Sequence, residues 1–130
     1  GASTTMICSA PASRAAAPHM RRRGGGAIVN VASLGGSRPW PLHLAYCASK
    51  AALGMATQCL ALALAPQIRV NAVAPGILEP PGADEAVRRR IPAGRFGTHG
   101  EAVEAILFLL AGGGYTTGEV LRVDGGRSLA

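Results

Sequence analysis

Two short apolar runs, AIVNVA at 27–32 and IRVNAVA at 68–74, constrain this chain more than any other feature. Each holds one asparagine among aliphatic residues and meets a hard stop, Ser33 with Gly35 and Gly36 after the first and Pro75-Gly76 after the second. Hydrophobicity that is nearly continuous, rather than alternating, marks strands buried on both faces. Between them runs an Ala- and Leu-rich stretch, His43 to Ala65, interrupted only by Gly54 and stopped by Pro66. Two doubly buried strands joined by a helix predict a parallel sheet with a crossover connection.

The rest of the chain keeps this rhythm. Residues 10–22 read as a helix that closes in a basic turn, with Gly24 to Gly26 as the stop. A short helix fits residues 84–90, and Glu101 to Ala111 places apolar residues at 103, 106, 107 and 110 on one helical face. Glu119 to Val123 reads as a third strand, closed by Asp124-Gly125-Gly126. The expected fold class is α/β: one domain, residues 1–130, holding a partial doubly wound, Rossmann-like parallel sheet of about three strands with flanking helices. The edge of strand 27–32 is then left open, and an apolar edge invites pairing.

Composition narrows the functional classes. Of the 130 residues 25 are alanine, so much of the 48% hydrophobic share comes in small pieces that each bury little area. The net charge of +6 is lopsided: the first acid is Glu79, and twelve of the thirteen basic residues are arginine. An acid-free first half suits an anionic ligand or an acidic partner; the plainer reading is an arginine-rich composition without a role. Arg21–Arg23 and Arg88–Arg90 lack interleaved aromatics, so they read as solvated helix ends and no nucleic-acid partner is expected. The 18 uncharged residues from Ala51 to Ile68 approach a membrane span in length. Gly54, Thr57, Gln58 and Pro66 favour a buried helix instead, and no membrane partner. Cys8, Cys47 and Cys59 are odd in number and lack metal-ligand spacing, and Cys47 and Cys59 fall in the helical run, which predicts that these two are reduced, buried thiols and suits a cytoplasmic setting. His19, His43 and His99 fall on separate elements without a carboxylate pattern, so no metal is expected. Residues 1–23 have the Ser, Ala and Arg bias of a transit peptide but run straight into strand-like sequence.

The sole lysine, Lys50, follows Tyr46 by four residues at the start of the long helix, which puts both side chains on one face. A phenol is a poor proton donor or acceptor at neutral pH, and a nearby ammonium brings it toward the range acid–base catalysis needs. Ser33 lies at the carboxyl end of a predicted parallel strand, where α/β proteins bind ligands. Its hydroxyl either hydrogen-bonds a substrate carbonyl oxygen or merely opens a loop.

Ser33, Tyr46 and Lys50, set in IVNVAS at 28–33 and YCASKAA at 46–52, strongly resemble the short-chain dehydrogenase/reductase family. The resemblance continues through RVNAVAPG at 69–76, GRFG at 94–97 and TG…VDGG at 117–126, covering residues 10–130 and leaving 1–9 poorly matched. RPWP at 38–41 and the closing VDGGRSL look most like the pteridine-reductase-like branch. The resemblance implies an NAD(P)H-dependent oxidoreductase that reduces a carbonyl or imine, pterin-like substrates included, with NADP the expected cofactor and NAD not excluded. Ser33 would orient the substrate, Tyr46 would be the general acid–base, and Lys50 would hold the nicotinamide ribose. Pro75, Gly76 and the Leu78 backbone would line the nicotinamide, residues 77–93 would form the substrate loop, and helix 43–65 would join subunits into a homo-oligomer.

The chain also departs from the family pattern. Gly24–Gly26 precedes a strand and Gly112–Gly114 follows a helix, so no strand–glycine–helix turn offers aligned N–H groups to a pyrophosphate. Thr5 stands where the family's catalytic asparagine would align, Pro80 replaces the usual threonine after the Pro-Gly turn, and Ser33 stands where pteridine reductases commonly carry aspartate. These departures predict a chain that holds the catalytic and C-terminal portion of the domain without its N-terminal dinucleotide-binding strands. The alternative is a truncated, non-catalytic module that associates through its long helix.

Overall fold

Successive residues of the two apolar runs bury against opposite layers of one sheet. The computed structural model describes residues 4–8, 10–79, 82 and 84–130, with the backbone alone for 4–8 and 10. Strand β2 spans Gly26–Val31 and β3 spans Ile68–Pro75, paired in parallel from Gly26 opposite Ile68 to Val31 opposite Val73. On one side Ile28, Ile68 and Val70 pack against Ala17 and Met20 of helix α1 (Ala10–Arg22) and Ala61 and Leu64 of α2 (Leu44–Leu64). On the other, Val29 and Val73 meet Ile106 of α4 (His99–Leu107) and Leu109 of the π-turn after it. Strand β4 (Val120–Val123) pairs in parallel with β3, and the short helix α3 (Glu85–Arg88) lies between β3 and α4 in sequence. The α/β class with a parallel sheet and flanking helices is what the sequence predicts.

The sheet nevertheless has four described strands, in the order β1–β2–β3–β4, rather than three. Strand β1, Thr4–Cys8, runs parallel along the edge of β2 that the sequence leaves open. Its five residues pass within two positions into α1. Its place is set by pairing with β2, a tertiary effect that outweighs local propensity.

Helix α2 differs from expectation in burial, not in extent. Only Thr57, Ala61 and Leu64 of its 21 residues are fully buried, while Leu44, Met55 and Leu62 are largely exposed. It is long and apolar enough by length and composition to cross a membrane, yet one face lies on the sheet. Cys59, expected inside, is exposed, and Cys47 is half-buried; both are free thiols. The small side chains of Ala32, Ala72 and Ala74 form the sheet surface under this helix and let it sit close.

A buried polar chain fixes the two helices over β2. Asn30, with no solvent exposure, accepts from Ser13 Oγ of α1 at 3.2 Å and donates from Nδ2 to Thr57 Oγ1 of α2 at 2.9 Å. The Thr57 hydroxyl donates in turn to Leu53 O at 2.8 Å. Removing the middle of such a chain leaves desolvated polar groups short of partners, at about 1–3 kcal/mol. Asn30→Ala is therefore expected to lower folding stability by about that amount in a denaturant titration; an unchanged midpoint would contradict the role assigned to it.

Candidate active site

Where β2 ends, Ser33 opens a 3₁₀ turn, Leu34–Gly36, and its Oγ accepts from Gly35 N at 3.2 Å. That leaves the hydroxyl hydrogen available to an acceptor beyond the loop. Gly36 then meets α2 at the carbonyl of Lys50: a Cβ there would lie 2.8 Å from both the carbon and the oxygen. Glycine is the residue that lets the serine loop touch the helix at this point. The Lys50 ammonium donates to Val31 O, the last carbonyl of β2, at 3.0 Å. One lysine thus ties the strand end that positions Ser33 to the helix that carries Tyr46.

Tyr46, one turn before Lys50, has its ring centroid 5.9 Å from the Lys50 Nζ. The ring stacks on Trp40 at 5.8 Å and 10°, and one edge rests on Gly35. Trp40 meets His43 edge-on at 6.0 Å, and His43, just before α2, places Nδ1 2.8 Å from Pro41 O at the surface. Tyr46 remains 42% exposed, reachable by a ligand while the stack fixes its orientation. Ser33 and Lys50 line one open cleft of about 210 Å³ together with Gly36, Gly54, Met55 and Val120. Tyr46 joins them through Lys50, Gly35 and Trp40 rather than by lining the cleft.

The other three expected residues lie at and just beyond the end of β3, at the same edge of the sheet, but turn toward β4. Gly76 N donates to Val123 O at 2.9 Å, and Leu78 bridges in parallel to Gly97, with Gly97 N donating to Ile77 O at 3.0 Å. Pro75 is the last residue of β3. Pro80 and the Thr5 side chain lie outside the described residues. The Trp40 stack was not anticipated; Pro39 and Pro41 on either side of Trp40 are the sequence signal that could have marked a rigid aromatic there.

The groups present fit the nicotinamide–ribose end of a dinucleotide: an ammonium with one of three donors committed, an exposed phenol and a buried serine at the carboxyl edge of parallel strands. For the pyrophosphate the fit is poorer. Gly26 begins β2 and Gly112 ends the π-turn, so among the described residues neither glycine run opens a helix after a strand.

Gly97, which holds Leu78, leads into α4. Thr98 caps that helix, its Oγ1 accepting from Glu101 N while the Glu101 carboxylate accepts from Thr98 N at 2.8 Å. Arg95 donates to the same carboxylate at 2.6 and 3.0 Å. Hydrogen bonds from Arg95, then from Thr98 N, hold the Glu101 carboxyl down at about 2. At Asp124, burial pushes the carboxyl up, but hydrogen bonds from Ser128 and Gly126, with Arg122 nearby, outweigh it and keep it below the usual range.

The same order of parts along a parallel sheet is found in proteins already known. The family model for enoyl-(acyl carrier protein) reductase matches residues 4–128, and the chain belongs to the short-chain dehydrogenase/reductase family. It is 44% identical over 114 residues to L-xylulose reductase of Caenorhabditis elegans, covering 79% of this chain and 45% of that protein. To the 3-oxoacyl-(acyl-carrier-protein) reductase of Thermotoga maritima it is 43% identical over 118 residues, 84% of this chain and 48% of the relative. Gluconate 5-dehydrogenase of Burkholderia cenocepacia, solved with NADP and tartrate, superposes with a TM-score of 0.84 at 33% identity, over 91% of this chain and 51% of its own. The chain therefore spans about half the length of the relatives it matches.

Two outcomes follow. Gly36→Ala is expected to cost about 1–3 kcal/mol on thermal or denaturant unfolding, because its methyl would overlap the Lys50 backbone; full stability would show that the loop does not touch the helix. Glu101, with its folded value near 2 against an ordinary 4.5, contributes stability that is present above pH 4.5 and lost as pH falls through about 2. A carboxyl NMR titration should place its midpoint near 2, and a midpoint near 4.5 would remove the Arg95–Thr98 clasp from the structure in solution.

Proposed function

We propose that this chain carries the proton-transfer half of an NAD(P)H-dependent oxidoreductase, which reduces the C=O or C=N bond of a small molecule. The observation that carries the reading is the Lys50 ammonium, bonded to the end of the serine strand and 5.9 Å from the Tyr46 ring. When bound, the reduced nicotinamide supplies a hydride to the substrate carbon. Tyr46 gives its phenolic proton to the heteroatom, so that C=O becomes CH–OH and the phenolate recovers a proton from solvent. Ser33, whose oxygen already accepts from Gly35 N, turns its hydrogen toward the substrate oxygen and stabilises the charge that develops there. Lys50 keeps two donors for the ribose hydroxyls, while Pro75, Gly76 and the Leu78 backbone form the wall beside the nicotinamide.

NADP is the favoured cofactor, supported by the gluconate 5-dehydrogenase neighbour solved with it. Ketose and ketoacyl carbonyls are the first substrates to assay, in line with the names of the relatives, and a pterin-like ring falls within the same chemistry. The proposed domain arrangement is a catalytic and C-terminal portion over residues 10–130. A cytoplasmic setting accords with the free thiols of Cys47 and Cys59.

The outward apolar face of α2 favours a further reading, self-association through helix 43–65 with or without catalysis. Leu44 and Leu62 are more than four-fifths exposed there, and Ala and Gly around them permit close approach. Native mass measurement tests it: a monomer at micromolar concentration would remove this interface.

For the catalytic reading, NADPH titration of the chain should show saturable binding, with turnover of a β-ketoacyl thioester or a ketose. Tyr46→Phe should cut turnover by about 10²-fold or more while binding persists. Absence of NADPH binding would sink the claim that this chain is itself an enzyme, and undiminished turnover in the variant would overturn the role of Tyr46.

A further inference from the structure

Three arginines from separate parts of the chain meet at the carboxyl edge of the sheet. Arg38 lies on the loop after β2, Arg127 in the 3₁₀ turn after β4, and Arg90 just beyond α3. An Arg38 Nη donates to Arg127 O, and Arg127 Nη1 donates to Arg90 O at 3.5 Å. Backbone carbonyls thus hold the three together, and their charges are left facing one another. Burial, then the positive charges of Arg38 and Arg90, hold the Arg127 guanidinium below its ordinary range.

Nothing among the described residues neutralises this cluster. The ion pairs are Arg88 and Arg89 with Glu85, Arg95 with Glu101, and His99 with Glu79. Asp124, three residues before Arg127, accepts from Gly126 N at one carboxylate oxygen and from Ser128 N at the other. Arg127 Nε is closed off from solvent and has no hydrogen-bond partner. Gathered like charges cost free energy, and that cost falls when a negatively charged acceptor arrives beside them.

We propose that Arg38, Arg90 and Arg127 form a binding site for an oxyanion, a phosphate or carboxylate group carried on a small molecule. Guanidinium forks match such groups geometrically, because two N–H donors meet two oxygens of one anion. The position supports a ligand. The carboxyl ends of parallel strands are where α/β sheets bind small molecules, and the loop carrying Arg38 also delivers Trp40 to Tyr46. Arg90 is exposed, so the cluster is open on one side, while Arg38 and Arg127 are half-buried and present fixed donors. The site needs no hydride transfer to operate, so its failure would leave the catalytic reading untouched.

The test is a titration of inorganic phosphate into the intact chain labelled with ¹⁵N at arginine, following the Arg127 Nε–Hε signal at constant ionic strength. A saturable shift is expected, with its midpoint weakened at least tenfold in Arg38→Gln and in Arg90→Gln. Arg14→Gln, on the exposed face of α1, should leave the midpoint where it was. The Arg90 variant alters an exposed residue and keeps the test valid if Arg38→Gln fails to fold. No saturable shift, an equal shift when chloride replaces phosphate, or an unchanged midpoint in the Arg90 variant would overturn the site.

Discussion

The structure depends on one buried hydrogen-bonded chain, Ser13–Asn30–Thr57, more than on any single apolar contact. An amide in the middle of a doubly buried strand is costly to leave unpaired, so both helices above it must sit where their hydroxyls reach it. Apolar packing of Ile28, Val70, Ala61 and Leu64 would tolerate some sliding of α2 over the sheet. The amide tolerates far less. Asn30 is three residues before Ser33, and Thr57 is seven after Lys50, so the register it imposes is the register of the site.

The second constraint is close approach. Gly36 against the Lys50 carbonyl, and Lys50 against the Val31 carbonyl, fold the serine loop back onto the helix from two directions. Each contact excludes alternatives: a larger residue at 36 overlaps the backbone, and the ammonium has to reach a particular oxygen. Trp40 completes the arrangement by giving the Tyr46 ring a flat surface to lie on. The loop from Ser33 to His43 is therefore shaped by its contacts with α2 rather than by its own turn propensities.

Most of this was legible because the relevant signals are local. Strands β2 and β3 are written as continuous aliphatic runs with glycine or proline at their ends, and the i, i+4 spacing of Tyr46 and Lys50 is a helical statement by itself. What was not legible depends on partners. TTMIC becomes a strand because β2 offers it an edge. The exposure of α2, with Cys59 on it, follows from which neighbours are present, since an Ala/Leu helix reads alike whether covered by its own chain or by another. The Trp40 stack needed the course of a loop, which has no period to read.

The acid-free first half of the chain also finds a physical account. Arg21 donates to Ala63 O near the end of α2, Arg38 to Arg127 O, and Arg69 to Leu109 O, Leu110 O and Thr116 O. These arginines act as clasps between distant segments, and the groups they grip are neutral carbonyls. A carbonyl does not titrate in the acid range. Acidification that protonates Glu101 loosens the entry to α4 while leaving the clasps across β3 and α2 intact, so the molecule would come apart from one end first.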